Sequence, residues 1–298
     1  MATENFYSGH KKMTADIKKV TINHTVTEAA PSACKLLASL SGLPKGRIKD
    51  AMNKGAVTIK RGKKTLRLRR AETIVKPGEI LGLNYDAALL SLKSPHVSCL
   101  EDRMGYSVWF KPAGVMSQGN QYGDHMSILR IAEIQLGMKR EVFLVHRLDR
   151  ETRGIVLIAH NKKMAAQLST MFQEHAITKR YRAIVKGKTP EKGSINTPLD
   201  DKASVTHFTR VAYESELDTS ELDITLETGR THQIRRHLES INHPVMGDPK
   251  YGKDNKNRQG LQLVAYALEF TCPIKRQSTV FSLPEPFPRK QSNNPITD

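Results

Sequence analysis

The sequence predicts an α+β protein of two domains, and three observations support this. Its 298 residues suffice for one large and one small domain, and a composition of 38% hydrophobic and 26% charged residues is that of a globular protein. Apolar residues recur with helical spacing near the N-terminus, and short apolar runs bounded by turns follow further along the chain. We expect a flexible tail at 1–14, a basic domain at 15–88, a linker at 89–96, a larger domain at 97–288 and a second tail at 289–298.

The basic N-terminal domain is predicted to contain two short helices followed by strands. Apolar residues within 33–40 recur at i, i+3, i+4 and i+7, which is the spacing of one helix face. A second helix is expected from Lys45 to Lys54, with Gly55 in a left-handed conformation at its end. Alternating apolar residues from Val57 predict a strand, and a Lys-Pro-Gly turn precedes another strand at 80–83.

The larger domain is predicted to be a mixed unit of strands and helices. Asn161 is a suitable N-cap for a helix that carries Met164 and Leu168 on one face. A further helix is expected to run through Ile234, Leu238 and Ile241. Short strands are predicted at residues 142–145, 155–159, 181–185 and 222–226.

A net charge of +17 predicts a polyanionic partner, because each neutralised phosphate releases counterions and so contributes affinity. Residues 1–90 hold 17 lysines and arginines against 7 acids, whereas residues 91–298 hold 30 against 23. The smaller segment therefore carries the larger excess. A charged surface that serves solubility is the alternative explanation.

Several other classes of protein are disfavoured by the sequence. It has no apolar run of the roughly 20 residues that a membrane span needs. The polar start has no secretory signal, so a cytoplasmic protein is expected. Three widely spaced cysteines argue against a disulfide framework and against a zinc knuckle. The histidines show no metal-ligand spacing, and there is no glycine-rich phosphate loop, so neither a metal nor a cofactor is expected.

Three polar segments indicate a site. His146 to Asp149 form a turn between two apolar runs, where polar side chains are presented at a sheet edge. Residues 179–183 place a tyrosine among cations, a combination suited to stacking a base and binding its phosphates. Residues 228–235 are dense in donors at the predicted start of a helix, where anions are attracted. A lone aspartate in a turn is more often a structural turn former, so the three segments together carry the prediction.

These segments resemble the RluA family of pseudouridine synthases. The resemblance rests on four segments that follow one another in that family's order: the Lys-Pro-Ala-Gly run at 111–114, HRLDRETRG, KRYRAIVKG, and LETGRTHQIRRHL with NHPVMGDPKYG. It covers residues 97–288. It implies the pseudouridine synthase fold, a mostly antiparallel mixed sheet flanked by helices and loops, and the isomerisation of uridine in RNA. Because this reaction gains no electrons or groups, it requires no cofactor.

The resemblance also implies roles for individual residues. Asp149 matches the essential carboxylate, Tyr181 the active-site aromatic residue, and Arg230 the arginine that pairs with the aspartate. Arg147 matches the residue that fills the space left by the flipped uridine. A core tyrosine and a plain structural ion pair are the alternatives for Tyr181 and Arg230. Further RNA contacts are expected from Arg153, which stands where the family usually has Ser, and from Lys179, whereas His146, Thr152, His232, Gln233 and Arg235 are expected to support the site structurally.

The N-terminal domain resembles the small RNA-binding domain named after the fourth ribosomal protein of the small subunit, an α+β module. Its predicted RNA-binding cations are Lys45, Arg47, Lys49, Lys54 and Arg61. A helical cap that only shields the next domain is the alternative. By family analogy, this module favours ribosomal RNA of the large subunit over transfer RNA, and a monomer is expected.

Two competing functions follow from the same sequence. A non-catalytic RNA-binding or ribosome-assembly factor would keep the fold and the charge. A carboxylate-dependent hydrolase is disfavoured, because no second acidic residue stands in a matching motif to complete the usual pair.

Overall fold

The computed structural model describes residues 17–29, 32–284 and 287, and both predicted tails lie outside the described residues. The chain forms two units. The first comprises the residues up to Ser94 together with Gly119–Met126, and the second comprises Pro95–Gln118 and the chain from Ser127 onward. Within the described residues, none of the helices is both long and apolar enough to span a membrane.

The first unit is a four-stranded antiparallel sheet with three short helices. Its sheet has the strand order β1-β4-β2-β3, and the buried residues of α1 and α2 share a core with strands β2 and β4. Gly55 follows α2 with φ +80, the left-handed conformation predicted for it. The elements are β1 (Lys19–Thr25), α1 (Ala33–Ser41), α2 (Lys45–Asn53), β2 (Val57–Arg61), β3 (Lys64–Arg67), β4 (Ile80–Asp86) and α3 (Ala87–Ser91).

Helix α3 occupies the beginning of the segment that was predicted to be a linker. Asp86 caps this helix by accepting hydrogen bonds from the backbone N–H groups of Ala88 and Leu89. The segment Gly119–Met126 belongs to the same unit as these elements, since Arg69 pairs with Asp124 at 2.5 Å and the backbone N–H of Asp124 donates to Lys54. The sequence pattern does not indicate either feature.

The second unit is built on a ten-stranded mixed sheet with three helices. The sheet follows the order β10-β11-β12-β9-β13-β8-β6-β5, with β14 beside β13 and β7 beside β8. Its elements are β5 (Ser98–Asp102), β6 (Tyr106–Lys111), α4 (Ile128–Gln135), β7 (Phe143–Leu144), β8 (Arg153–Ala159), α5 (Lys162–Gln173), β9 (Thr178–Lys186), β10 (Lys192–Ile195), β11 (Thr206–Glu214), β12 (Thr219–Leu226), α6 (Gln233–Ser240), β13 (Leu263–Thr271) and β14 (Ser278–Ser282). Among the described strands, only β8 and β13 pair in parallel.

Alternation along the strands places helices on both faces of this sheet. Ile155 and Leu157 of β8 pack in the cluster that contains Leu168 of α5, whereas Val156 and Ile158 pack in the cluster that contains α4. Tyr181 of β9 packs against this second cluster and also against the cluster formed with α6. The strand β9, the helix α6 and the turn before β8 therefore meet on one face.

Candidate active site

A cavity of about 110 Å³ opens where the turn before β8, the strand β9 and the loop before α6 come together. Asp149, Tyr181 and Arg230, the three predicted catalytic residues, all line it. So do the predicted site residues Arg147, Thr152, His232, Gln233 and Arg235. Three segments that are distant in the sequence thus share one cleft.

The turn that carries Asp149 is fixed by contacts on both sides. The hydroxyl of Ser117 donates to the carbonyl of Leu148 at 2.7 Å and accepts from its N–H at 2.9 Å. On the other side, the backbone N–H of Thr152 donates to the carbonyl of Asp149 at 3.2 Å, and the Thr152 side chain is buried. The carboxylate of Asp149 remains 20% exposed, which leaves it accessible from the cavity.

His146 supports this turn as a neutral acceptor. Its Nε2 accepts a hydrogen bond from the N–H of Leu157 at 2.9 Å, and its ring stacks on Phe172 with 4.3 Å between ring centroids. Burial, and to a lesser extent the charge of Lys179, lowers the pKa of His146 to about 3. The ring therefore stays uncharged at physiological pH and can accept this bond.

Arg235, and not Arg230, is the arginine that contacts the candidate nucleophile. Nη1 of Arg235 lies 3.4 Å from Oδ2 of Asp149, whereas Nε of Arg230 donates to the carbonyl of Ala203 at 3.1 Å. The predicted pairing of Arg230 with Asp149 is therefore wrong. Arg235 is 4% exposed and lies on the first turn of α6, three residues before buried Leu238, so its side chain points into the cavity wall.

The position of Arg235 could have been predicted from the helical spacing. Ile234 and Leu238 mark the buried face of α6, and Arg235, three residues before Leu238, lies beside that face, whereas Arg236 points away from it. A buried guanidinium needs carboxylate partners, and Asp149 and Asp248 supply them. Hydrogen bonding and proximity to both acids raise the pKa of Arg235 against the opposing effect of burial, so the guanidinium stays charged.

His232 is a second group that faces Asp149. It adopts the left-handed conformation with φ +55 at the start of α6, and its Nε2 lies 3.7 Å from Oδ2 of Asp149. Its Nδ1 is 2.9 Å from the hydroxyl of Tyr251. Burial lowers the pKa of His232, although the charge of Asp149 acts in the opposite direction.

Gln233 holds the loop before α6 with both ends of its amide. The oxygen accepts from the hydroxyl of Thr228 at 2.8 Å and from the N–H of Arg230 at 2.9 Å. The nitrogen donates to the carbonyl of Val205 at 2.9 Å and to the hydroxyl of Thr206 at 3.1 Å. The polar atoms of this buried amide thus have hydrogen-bond partners at both ends.

Tyr181 forms part of the cavity wall opposite α6. It stands on β9 between Ile224 of β12 and Ala265 of β13. Burial, followed by the charge of Asp149, raises the pKa of Tyr181 above its ordinary value, so the phenol stays protonated. Lys179 precedes it by two residues on the same face of the strand, and burial lowers the pKa of Lys179.

Arg153 does not reach the cavity. It shares the face of β8 that carries Ile155 and packs against α5, and its guanidinium lies 5.3 Å from the ring centroid of Phe287. Strand alternation turns this side chain to the face of the sheet that packs against α5, and the RNA contact expected of Arg153 stays a prediction. Arg147, in contrast, is exposed and lines the cavity.

The five predicted RNA-binding cations of the first unit fall into two groups. Lys45, Arg47 and Lys49 are exposed on α2, and the amino group of Lys49 lies 4.0 Å from Glu72. Lys54 is engaged within its own unit, because its amino group donates to Asp50 at 2.9 Å and to the carbonyl of Leu90 at 2.6 Å. Arg61 likewise pairs with Glu79 at 2.7 Å.

Lys111, Asp248 and Tyr251 lie within the motifs that carry the resemblance, and the sequence alone predicts no role for them. Lys111 is fully buried and donates to backbone carbonyls around the turn, and Asp248 and Tyr251 contact the groups that face Asp149. Among the described residues, no three His, Cys, Asp or Glu side chains are grouped as metal ligands would be.

Residues 105–240 match the family model described as RNA pseudouridylate synthase. The chain is 34% identical over 204 residues to tRNA pseudouridine synthase C of Haemophilus ducreyi, covering 58% of this chain and 84% of that protein. It is 32% identical to ribosomal large subunit pseudouridine synthase D of Nitrosomonas europaea, covering 59% and 58%, and 33% identical to an uncharacterised RNA pseudouridine synthase of Bacillus subtilis, covering 59% and 64%. The chain thus spans less than two thirds of the length of these last two relatives.

Two solved human structures share the fold of the second unit. RNA pseudouridylate synthase domain containing 1 superposes with a TM-score of 0.55 at 21% identity, covering 64% of this chain and 84% of that one. RNA pseudouridylate synthase domain containing 4 gives 0.52 at 23% identity, covering 64% and 89%. The α+β fold predicted from the sequence is confirmed.

Proposed function

Because the chain belongs to the RluA family of RNA pseudouridine synthases, we propose that it converts specific uridines of structured ribosomal RNA into pseudouridine. One observation carries the proposal: Asp149 lies in a cavity with its carboxylate against the guanidinium of Arg235, and Tyr181 lines the same wall. This is the arrangement that the isomerisation needs.

The reaction requires an ionised carboxylate beside the uridine. The bond from ribose C1′ to uracil N1 breaks, the base turns, and a bond from C1′ to C5 forms, while C5 loses its proton and N1 gains one. An opposite charge within a few ångströms favours the ionised form of a carboxylate and fixes its direction. In this site Arg235 supplies that charge at 3.4 Å from Asp149.

Access of the uridine to Asp149 requires that the base leave its stack. Base flipping costs a few kcal/mol, and stacking on an aromatic ring returns roughly 1–3 kcal/mol. Tyr181 lines the cavity and can contact the flipped base, while exposed Arg147 at the mouth can occupy the space that the base leaves. The raised pKa of Tyr181 keeps its hydroxyl a hydrogen-bond donor.

Ribosomal RNA of the large subunit is the proposed target because of the basic first unit. Exposed Lys45, Arg47 and Lys49 on α2 can contact phosphates at a distance from the modified uridine. One relative carries the name of a ribosomal large subunit synthase. Transfer RNA is the second candidate, since another relative carries the name of a tRNA synthase. A monomer acting in the cytoplasm completes the proposal.

Pseudouridine maps of total RNA from cells with and without this protein test the function and the target together. A site in ribosomal RNA that disappears in its absence and returns with the wild-type gene is expected. Complementation with Asp149→Asn should fail to restore the site, while the purified variant still binds the RNA. Sites lost only from transfer RNA would support the second candidate, and an unchanged map would favour a non-catalytic RNA-binding factor.

A further inference from the structure

The loop after α6 holds two side chains that contact the groups facing Asp149. Asp248 and Tyr251 lie on this loop, and neither is among the residues that line the cavity within the described part of the chain. Asp248 contacts Arg235, and Tyr251 contacts His232. The loop therefore reaches the carboxylate through two intermediate side chains.

Asp248 binds Arg235 through two of the three guanidinium nitrogens. Its Oδ2 accepts from Nε at 2.6 Å, and its Oδ1 accepts from Nη2 at 2.8 Å. Only Nη1 is left, and this nitrogen faces Asp149 at 3.4 Å. Because a guanidinium is planar and rigid, fixing two of its nitrogens also fixes the direction of the third.

Asp248 is itself held in place. Its side chain is 1% exposed, and Oδ1 also accepts the backbone N–H groups of Lys250 and Tyr251 at 2.8 and 3.0 Å. Burial raises the pKa of Asp248, but the hydrogen bonds from Arg235 and from the two N–H groups outweigh it, so the net direction is downward. The carboxylate is thus a charged and oriented acceptor.

Tyr251 contacts both groups that face Asp149. Its hydroxyl lies 2.9 Å from Nδ1 of His232, which leaves Nε2 of that ring directed at Asp149. The guanidinium of Arg235 lies over the Tyr251 ring at 5.0 Å from its centroid. One aromatic side chain therefore limits the movement of both neighbours of the carboxylate.

Contacts within this loop hold its backbone in place. Asn255 is fully buried, and its amide nitrogen donates to the carbonyls of Val245 and Tyr251 at 2.7 and 3.0 Å. Gly247 approaches Gly260 so closely that an added Cβ would lie 1.8 Å from the Gly260 carbonyl oxygen. These contacts fix the positions of Asp248 and Tyr251 relative to α6.

We propose that Asp248 and Tyr251 are positioning residues for the isomerisation, which orient Arg235 and His232 toward Asp149 without touching the RNA. The proposal rests on the proposed function. Groups that face a reacting centre act most strongly when they are oriented in advance, because no reorganisation is needed during the reaction. A displacement of about 1 Å can cost roughly 100-fold in rate.

A purely structural role for Asp248 is the competing explanation, since a buried guanidinium needs a counter-charge in any case. The chain offers a matched control on the same helix. Arg236 forms a bidentate pair with Asp200, at 2.9 and 3.0 Å, and this pair does not contact Asp149. Asp248→Asn and Asp200→Asn thus remove the same kind of carboxylate from adjacent arginines.

The experiment compares kcat and KM of the full-length variants on an RNA that the wild-type protein modifies. Asp248→Asn should lower kcat by roughly 10-fold to 100-fold and leave KM within about threefold, whereas Asp200→Asn should change kcat by less than about threefold. Equal kcat values for the two variants, or a loss confined to KM, would overturn the proposal.

Tyr251→Phe provides a milder test in case Asp248→Asn does not fold. It removes a single hydroxyl, and the matched control is Tyr213→Phe, which removes a hydroxyl bonded to Asp218 at 3.0 Å on β11. We expect kcat of Tyr251→Phe to fall by about 3-fold to 10-fold with little change in KM, and Tyr213→Phe to match the wild type. Identical kcat values for the two would contradict the role assigned to Tyr251.

Crystal structures of the same variants give a readout that does not depend on activity. In Asp248→Asn, Nη1 of Arg235 should turn away from Asp149, and in Tyr251→Phe the His232 ring should rotate. A side chain that keeps its place in both structures would overturn the positioning role. If the wild-type protein forms no pseudouridine, the proposed function fails, while these structures still decide whether the two residues orient their neighbours.

Discussion

The amino group of Lys111 donates a hydrogen bond of 3.0 Å to the backbone carbonyl of Arg150, the residue that follows Asp149. The same group donates to the carbonyls of Pro112 and Val115 at 3.1 and 2.7 Å. Lys111 thereby ties the loop after β6 to the turn that presents the candidate nucleophile. The Lys-Pro-Ala-Gly run is distant from that turn in the sequence, so the link exists only in the folded chain.

Lys111→Met should lower both the stability and the activity of the protein. Methionine fills similar space but removes the lysine donor from the carbonyls of Pro112 and Val115, while that of Arg150 keeps the N–H of Gly114, and an unsatisfied buried group costs about 1–3 kcal/mol. We expect the free energy of unfolding in urea to fall by at least ~2 kcal/mol, with a lower kcat. Lys192→Met on exposed β10 is the control and should change stability by less than ~0.5 kcal/mol. Equal stabilities would contradict the assigned role.

The same substitution should remove part of the pH dependence of stability. Burial lowers the pKa of Lys111 to about 7 from 10.5, against the opposing charges of Glu151 and Asp149. Between these two pKa values the unfolded chain binds more protons at this position than the folded one does. The free energy of unfolding therefore rises with pH in this window, by at most ~1.4 kcal/mol per pH unit for one proton.

Urea denaturation of the wild-type protein and of Lys111→Met at pH 7.5 and 9.5 measures this contribution. The difference between the two proteins should grow with pH, since only the wild type becomes more stable as Lys111 loses its proton. A difference that stays constant over the window would show that Lys111 has its ordinary pKa in the folded protein.

Arg235 and Arg230 should differ in the kinetic parameter that each affects. Arg235→Lys removes the planar guanidinium that contacts both Asp149 and Asp248, and a single amino group cannot hold both carboxylates in the same geometry. We therefore expect kcat to fall by about 100-fold. Arg230→Ala removes an exposed cation at the cavity wall and should raise KM while kcat stays within about threefold. Steady-state kinetics on one RNA measures both variants, and a larger loss of kcat in Arg230→Ala would restore the original pairing prediction.

The cations of α2 that have no close acidic partner should contribute more to RNA binding than the closely paired ones, since Lys49 lies 4.0 Å from Glu72 whereas Lys54 and Arg61 lie 2.9 and 2.7 Å from their acids. In the double variant Lys45→Gln with Lys49→Gln, the logarithm of the RNA association constant should fall less steeply with the logarithm of the salt concentration. We expect the magnitude of this slope to decrease by roughly 1–2, because each lost phosphate contact removes nearly one unit. The control is Lys54→Gln with Arg61→Gln, which removes the same charge from residues paired with Asp50 and Glu79. Filter binding at several salt concentrations gives the slopes, and equal reductions would show that position on α2 does not matter.

Gly154→Ala should strongly destabilise the second unit. Gly154 has φ +136, and an added Cβ would lie 2.2 Å from the carbonyl oxygen of Ala265 on the neighbouring strand. The combined strain and overlap are expected to cost about 2–4 kcal/mol, seen as a lower thermal midpoint. Gly46→Ala on α2, where nothing lies within 4 Å, should instead be neutral or stabilising by about 0.5–1 kcal/mol. A thermal midpoint of Gly154→Ala equal to that of the wild type would contradict the geometry.

The sequence alone determined the local structure and the chemical nature of the site. Helices α1 and α2 begin and end close to their predicted bounds, and α5 begins after Asn161, which caps it by accepting from the N–H of Met164 as predicted. Spacing and capping act over a few residues, so they are visible in a single segment. The motif segments likewise predicted a site at Asp149 and Tyr181, and both residues line one cavity.

Only the tertiary structure decided which side chains meet. It placed Arg235 and not Arg230 beside Asp149, turned Arg153 to the opposite face of the sheet, and engaged Lys54 and Arg61 within the first unit. Each outcome depends on strand alternation, helix phase or a partner far along the chain. A cation in a motif is equally compatible with an ion pair, a surface and a substrate contact, and only the position of the nearest carboxylate distinguishes them.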